Sequence, residues 1–180
     1  PFYRSVDAKE ILEGEGIHVV SPIYANTNVD VPSLPGEIYS AFDDETVTAV
    51  FDIGGEDLGA RVLGSMLTRF SHIEYRVYMV VNAFRPFTSD ATAIRMMAEE
   101  LSEAARLPIH GFINNSNLLA DTTEEELIHG ERILDEAEKE TGIPVVYLSG
   151  LDDVLPKVWG DRSPKNIELL RMNRNIHYRY

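Results

Sequence analysis

Asp52, Gly54 and Gly55 are the residues whose types and spacing first point to chemistry; they lie in the stretch TAVFDIGGEDLGARVLG, residues 48–64. An apolar run closes on an aspartate, a glycine pair follows, and a helix-compatible segment then opens with Glu56 and Asp57. In open α/β sheets ligands sit just beyond the carboxyl ends of the parallel strands. A carboxylate and two glycines at such a place imply a metal ion or an anionic ligand. Segments rich in Asn, Ser, Gly and Thr also follow the apolar runs that end at Val81, Ile113 and Leu148, which puts Asn114, Asn115 and Ser149 on the same expected edge.

The glycines themselves do not make a phosphate cradle. Gly54 and Gly59 have the spacing of the outer glycines of a phosphate-binding loop, but Ala60 and Arg61 stand where lysine and a hydroxyl residue are required. Glu56 and Asp57 would set carboxylates against the phosphates. A dinucleotide fingerprint fails too, since Glu56 occupies its second glycine position, and no Gly-Lys pair occurs anywhere in the chain. What remains is an aspartate at a strand end followed by x-Gly-Gly. The Mg²⁺-side strand of a phosphate-loop NTPase ends in this way, its carboxylate helping to hold the metal's hydration shell while a glycine turns its N–H toward a γ-phosphate. Spacing leaves a second role equally open, in which Asp52 caps the following helix or satisfies donors in the turn.

The elements that must position these residues alternate. Ala8, Ile11 and Leu12 predict a first helix over Ser5–Glu15, stopped by Gly14 and Gly16. Ile17–Val20 reads as a short strand, Ser21–Pro35 as a long loop that could lie over a site, and Pro35–Phe42 as a short helix. Val47–Asp52 reads as a buried strand feeding a helix that continues to Phe70. Arg76–Val81, Pro108–Ile113 and Pro144–Leu148 are further strands, separated by helices over Ala91–Arg106, with Ser89 as its N-cap, and from Thr122 or Thr123 to Glu140. Glu124, Glu125 and Glu126 suit the positive end of that last helix, and Gly142 stops it. The tail alternates with period two, Leu170, Met172, Ile176, Tyr178 and Tyr180 falling on one parity, which predicts an antiparallel or edge strand. The fold class is therefore α/β: three layers, a mostly parallel sheet with helices on both faces, in one domain over residues 1–180.

Composition bounds the function. The net charge of −14 opposes binding to DNA, RNA or anionic membrane, so no nucleic-acid or membrane partner is expected. No apolar run is long enough to span a bilayer, no signal peptide is visible and there is no cysteine, so a cytoplasmic location is expected. The five histidines are scattered without metal-ligand spacing.

Taken in order, FDIGGEDLGARVLG, VYMVVNAFRPFTS and IHGFINNSNL resemble successive blocks of the MinD/ParA/CobQ-type nucleotide-binding ATPases, phosphate-loop NTPases with a deviant loop. The resemblance runs from Pro1 to Leu148. It implies ATP and Mg²⁺ as cofactors, Asp52 as the Mg²⁺-side aspartate, and Gly54 and Gly55 as the turn behind it. It further implies Asn115 as the side chain that reads adenine, with Asn114 the alternative if the register slips, and Ser149 in a loop lying along the base. For both asparagines, a left-handed turn after a strand is the competing explanation. The family begins with a strand, a lysine-bearing loop, a helix and a second strand, on the order of 40 residues. This chain opens on PFYRS and enters at a helix, so it is expected to be the later part of such a domain, inactive in ATP hydrolysis as it stands. Assembly as a homodimer around nucleotide is expected from the same resemblance. The alternative is a non-catalytic module that binds another protein through its strand ends or its tail.

Overall fold

In the computed structural model, residues 8–21, 36–55, 57–156 and 159–173 are described, apart from the side chains of residues 57 and 58. They belong to two compact units, Pro1–Gly54 with Thr68–Ile73, and Gly55–Leu67 with Glu74–Tyr180.

In the first unit, α1 (Lys9–Gly14) buries none of its residues, and a 3-10 turn over Gly36–Tyr39 runs into α2 (Ser40–Asp43). Its apolar centre is a ring cluster. Phe42 lies 5.5 Å from Phe51 and 5.2 Å from Phe70, close to edge-on to the latter. Arg69 sits 5.3 Å over the Tyr39 ring and bonds to Asp43 at 3.2 Å. Neither strand predicted here forms: residues 17–20 and 47–52 are irregular, and Val50 is 90% exposed. An alternating or apolar pattern makes a strand only where a neighbour supplies ladder partners for its N–H and C=O groups. In the second of these segments Phe51 alone is partly covered, against the other rings. Of the predicted loop Ser21–Pro35, all but Ser21 lies outside the described residues.

The second unit holds the sheet. Four strands, β1 (Tyr78–Val81), β2 (Gly111–Asn114), β3 (Val145–Leu151) and β4 (Glu168–Met172), pair in that order and all run parallel. The antiparallel direction expected for the tail strand is thus corrected, β4 being parallel to β3 at one edge; residues 174–180 lie outside the described residues. Met79, Phe112 and Val145 are in register across the sheet and form the core with Val81, with Ile94 and Ala98 of α5 (Ala91–Ala105), and with Leu134 and Ala137 of α6 (Glu124–Thr141). Both helices therefore cover the same face. The opposite face presents Tyr78, Val80, Leu170 and Met172 to solvent, Val80 being 59% exposed. The expectation of helices on both faces is met in this unit on one face.

The helices start and stop for local reasons. Thr123 caps α6 in a capping box, its hydroxyl accepting from the Glu125 N–H while the Glu126 carboxylate accepts from the Thr123 N–H at 2.8 Å. Gly142 closes that helix at φ 72°. Asp90, not Ser89, caps α5: its backbone is extended and its carboxylate accepts from the Ala93 N–H at 2.9 Å, while the Ser89 hydroxyl turns back to the Pro86 carbonyl. The helix predicted to reach Phe70 breaks at Met66 into α3 (Asp57–Ser65) and α4 (Leu67–Phe70). α3 packs on α5 so closely that a Cβ at Gly64 would stand 2.8 Å from the Ala104 carbonyl oxygen. Among the described residues no helix is long and apolar enough to cross a membrane.

Candidate functional site

The carboxyl ends of β1 and β2 are tied together by asparagine side chains. Asn82, directly after β1, accepts at Oδ1 from the N–H groups of Phe84 (3.0 Å) and Asn117 (3.3 Å), and its Nδ2 donates to the Asn117 carbonyl at 3.0 Å. The Ser116 hydroxyl accepts from the Ala83 N–H at 3.1 Å, which joins the same two loops a second time. Amides serve this purpose because each offers an acceptor and two donors without a charge to desolvate.

Asn114 and Asn115, adjacent in sequence, have opposite fates. Asn114 is 0% exposed, and its amide is engaged internally: Oδ1 accepts from the Ser116 N–H at 3.0 Å, and Nδ2 lies 3.5 Å from the Leu127 carbonyl of α6. Helix α6 presses on this turn at Gly130, where an added Cβ would come within 2.2 Å of Ser116 Oγ and 2.8 Å of Asn114 Oδ1. Asn115 is half-buried with its backbone fixed at both ends, its N–H donating to the Val81 carbonyl at 2.8 Å and its carbonyl accepting from Asn117 Nδ2 at 2.8 Å. Its side-chain oxygen accepts from the Ser149 hydroxyl at 2.9 Å, and its Nδ2 makes no hydrogen bond among the described residues. Ser149 is 6% exposed and also approaches the Asn114 carbonyl at 3.2 Å.

The structure thus brings Asn114, Asn115 and Ser149 into one hydrogen-bonded cluster at the carboxyl ends of β2 and β3. Asn82, Ser116 and Asn117 complete it. Their signal in the sequence is the recurrence of Asn and Ser where apolar runs stop, which marks an edge without saying which side chain faces outward. Phe87, 74% exposed, and Leu118 and Leu119 stand on the two joined loops and give the edge an apolar border. Leu119 holds φ 58°, a left-handed conformation uncommon for leucine.

Asp52 and Gly54 belong to the first unit and Gly55 to the second. All three are exposed in an irregular segment. A Cβ at Gly54 or Gly55 would meet nothing within 4 Å, and neither residue has a positive φ, so neither steric room nor backbone conformation demands glycine at these positions. Among the described residues no group of three His, Asp or Glu side chains is placed to hold a metal ion. Magnesium bound beside a polyphosphate commonly takes only one or two carboxylates, so a single aspartate is compatible with that ion.

No family model, curated protein or solved structure matches the chain. The functional reading therefore rests on the residues themselves. The Asn82–Asn117–Asn115–Ser149 network contains amides, a hydroxyl and backbone groups and no carboxylate or cation. Such a set matches a neutral heterocycle edge, which presents donors and acceptors side by side. It supplies no nucleophile and base pair for covalent chemistry. The strands run 1-2-3-4 across the described sheet without a reversal of order, so no switch-point crevice arises among them and the edge is defined by its loops.

Proposed function

We propose that this chain is the base-recognising part of an ATP-binding protein of the MinD/ParA type, with a three-layer, phosphate-loop NTPase-like architecture. The observation that carries the reading is Asn115: a half-buried amide at the carboxyl end of a central parallel strand, with its backbone fixed and its Nδ2 making no hydrogen bond among the described residues. One donor and one acceptor on a single side chain match the donor and acceptor that a 6-aminopurine shows along its N6/N7 edge. Exposed Phe87, Leu118 and Leu119 offer apolar surface beside it. On the strength of the resemblance, Asp52 would help hold Mg²⁺, and Gly54 and Gly55 would form the turn behind it. The 180 residues contain no Gly-Lys pair, so hydrolysis is proposed only for a polypeptide that also carries a lysine-bearing phosphate loop. A nucleotide-dependent homodimer and a cytoplasmic location go with the same reading.

The test is thermal melting with and without Mg-ATP, on this chain and on a chain extended upstream to include such a loop. At a hundredfold excess over Kd, binding to the folded state adds about 2.7 kcal/mol. At roughly 2–4 °C per kcal/mol for a chain of this size, the extended protein should melt about 5–10 °C higher. This chain alone should not shift, and Asn115→Ala should abolish most of the rise in the extended one. Absence of a shift in both chains refutes the ATP assignment.

A second reading is favoured by the open sheet face. Parallel sheets are ordinarily covered on both sides, and here Tyr78, Val80, Leu170 and Met172 are exposed on one of them. A protein partner seated there would make the chain a non-catalytic interaction module. Concentration-dependent association that ATP leaves unchanged would select this reading.

A further inference from the structure

We infer that Asn82 is a positioning residue: its carboxamide clasps the backbone of Asn117 and so sets where Asn115 stands for a ligand. The inference rests on the base-recognition reading above and deepens it, because it assigns the placement of the reading side chain to a residue on the loop of the neighbouring strand.

Three contacts define the clasp, and each is to a backbone group whose role is fixed. Asn82 Oδ1 accepts from the N–H groups of Phe84 at 3.0 Å and Asn117 at 3.3 Å, and its Nδ2 donates to the Asn117 carbonyl at 3.0 Å. A backbone N–H can only donate and a carbonyl can only accept, so one amide orientation satisfies all three contacts and the flipped one satisfies none. Both lone pairs of Oδ1 are taken, which leaves this side chain no acceptor to offer a ligand. Asn82 is itself anchored: its carbonyl accepts from the Arg85 N–H at 3.0 Å and from the hydroxyl of buried Thr88 at 2.7 Å.

The clasp reaches Asn115 in one further step. Asn117 Nδ2 donates to the Asn115 carbonyl at 2.8 Å, while the Asn115 N–H donates at 2.8 Å to the carbonyl of Val81, the residue just before Asn82. One corner of the chain, Val81 with Asn82, therefore holds Asn115 at both ends, directly on one side and through Asn117 on the other. The bond between Ser116 and Ala83 joins the same two loops but stops short of Asn117. Aspartate at position 82 would keep the two N–H contacts and turn a carboxylate oxygen against the Asn117 carbonyl, opening the clasp with little change of side-chain shape. Ordering the loop would then fall to the ligand, which should weaken adenosine about three- to tenfold.

The experiment uses this chain, isotopically labelled, with adenosine at millimolar concentration as the probe and the Asn115 side-chain resonances in ¹H–¹⁵N spectra as the readout. In the wild type those resonances should move with adenosine. Asn82→Asp should bind about three- to tenfold more weakly, with far-UV circular dichroism unchanged. Asn117→Ala should weaken adenosine as well. On that background Asn82→Asp should cost less than about a further twofold, because the link from the clasp to Asn115 is already cut, whereas a general loss of stability would add independently of it. Equal affinity in wild type and Asn82→Asp overturns the positioning role while the base-recognition reading stands, and so does an undiminished loss on the Asn117→Ala background. If Asn115 in the wild type does not respond to adenosine, both fall together. If aspartate disturbs the fold, Asn82→Ala, which removes the clasp without adding a charge, takes its place in the same cycle and is decided by the same two comparisons.

Discussion

Gly130→Ala is a substitution whose sign is set by a competition between helix propensity and packing. Gly130 lies within α6, and replacing a mid-helix glycine with alanine ordinarily stabilises by about 1 kcal/mol. At this position the new methyl would meet Ser116 Oγ at 2.2 Å, Ser116 Cβ at 2.5 Å and Asn114 Oδ1 at 2.8 Å. Neither neighbour is the loose end of a flexible chain. Both residues are 0% exposed, Ser116 Oγ accepts from the Ala83 N–H, and Asn114 Oδ1 accepts from the Ser116 N–H. Forcing a methyl into a packed core costs about 1–3 kcal/mol, and disturbing one or two buried hydrogen bonds adds about 1 kcal/mol each. After the propensity gain is subtracted, the net loss is about 1–4 kcal/mol. Urea unfolding followed by the fluorescence of Trp159, the chain's single tryptophan, packed against the Leu127, Leu148, Leu155 and Leu169 cluster, should show the midpoint fall accordingly. The double variant Ser116→Gly/Gly130→Ala should recover part of the loss, because the closest obstacle is gone. A Gly130→Ala protein as stable as wild type, or more so, would refute the claim that α6 is pressed against the β2 turn.

Two further outcomes follow from the capping and strand-entry contacts. Thr123→Ala should cost about 1 kcal/mol near neutral pH, as loss of an N-cap generally does, and it should also alter the acid limb of the stability curve. The Glu126 carboxyl is held below its ordinary value of 4.5, first by the Thr123 hydroxyl and then by the Thr123 N–H. A depressed folded-state value gives stability that is present above the unfolded value and is lost as pH falls through the folded one. Wild type should therefore lose more stability than Thr123→Ala in titrations downward from pH 4.5, and parallel curves would count against the capping box. At the start of β1, the Val77 N–H donates to His110 Nδ1 at 3.0 Å, while the His110 N–H donates to the Val77 carbonyl at 2.8 Å. His110 must then carry its ring proton on Nε2; long-range ¹H–¹⁵N spectra should find that tautomer, and a proton on Nδ1 at neutral pH would contradict the bond.

The βαβαβ core from Tyr78 to Leu151 was legible because each element announces itself locally. Ile94, Met97, Ala98 and Leu101 repeat at helical spacing, Thr123 and Glu126 spell a capping box, and Gly142 can take the left-handed stop. Val47–Asp52 was misread for a reason no local pattern can repair: a strand exists only with a neighbour, and this segment has none among the described residues. The caps show how fine the margin is, since Ser89 and Asp90 are both good N-cap types and only backbone geometry selects the aspartate. At the site, the sequence marks Asn114 and Asn115 alike. Burial under Gly130 engages the first, and Ser149, 34 positions away, hydrogen-bonds to the second. Such long-range pairings have no signature in a single sequence.

The strand order also bears on how the sheet is made. Each strand pairs with the one that precedes it in the chain, from β1 through to β4 at the edge. Loop closure is thus limited at every step to one helix or one connection, which keeps its entropic cost low. The sheet can grow by accretion from β1 as the polypeptide leaves the ribosome, with α5 and then α6 sealing the same face behind it. None of the four described strands has to wait for a distant partner or thread between two already placed. Synthesis can therefore proceed through a series of ordered intermediates, each a shorter version of the finished sheet.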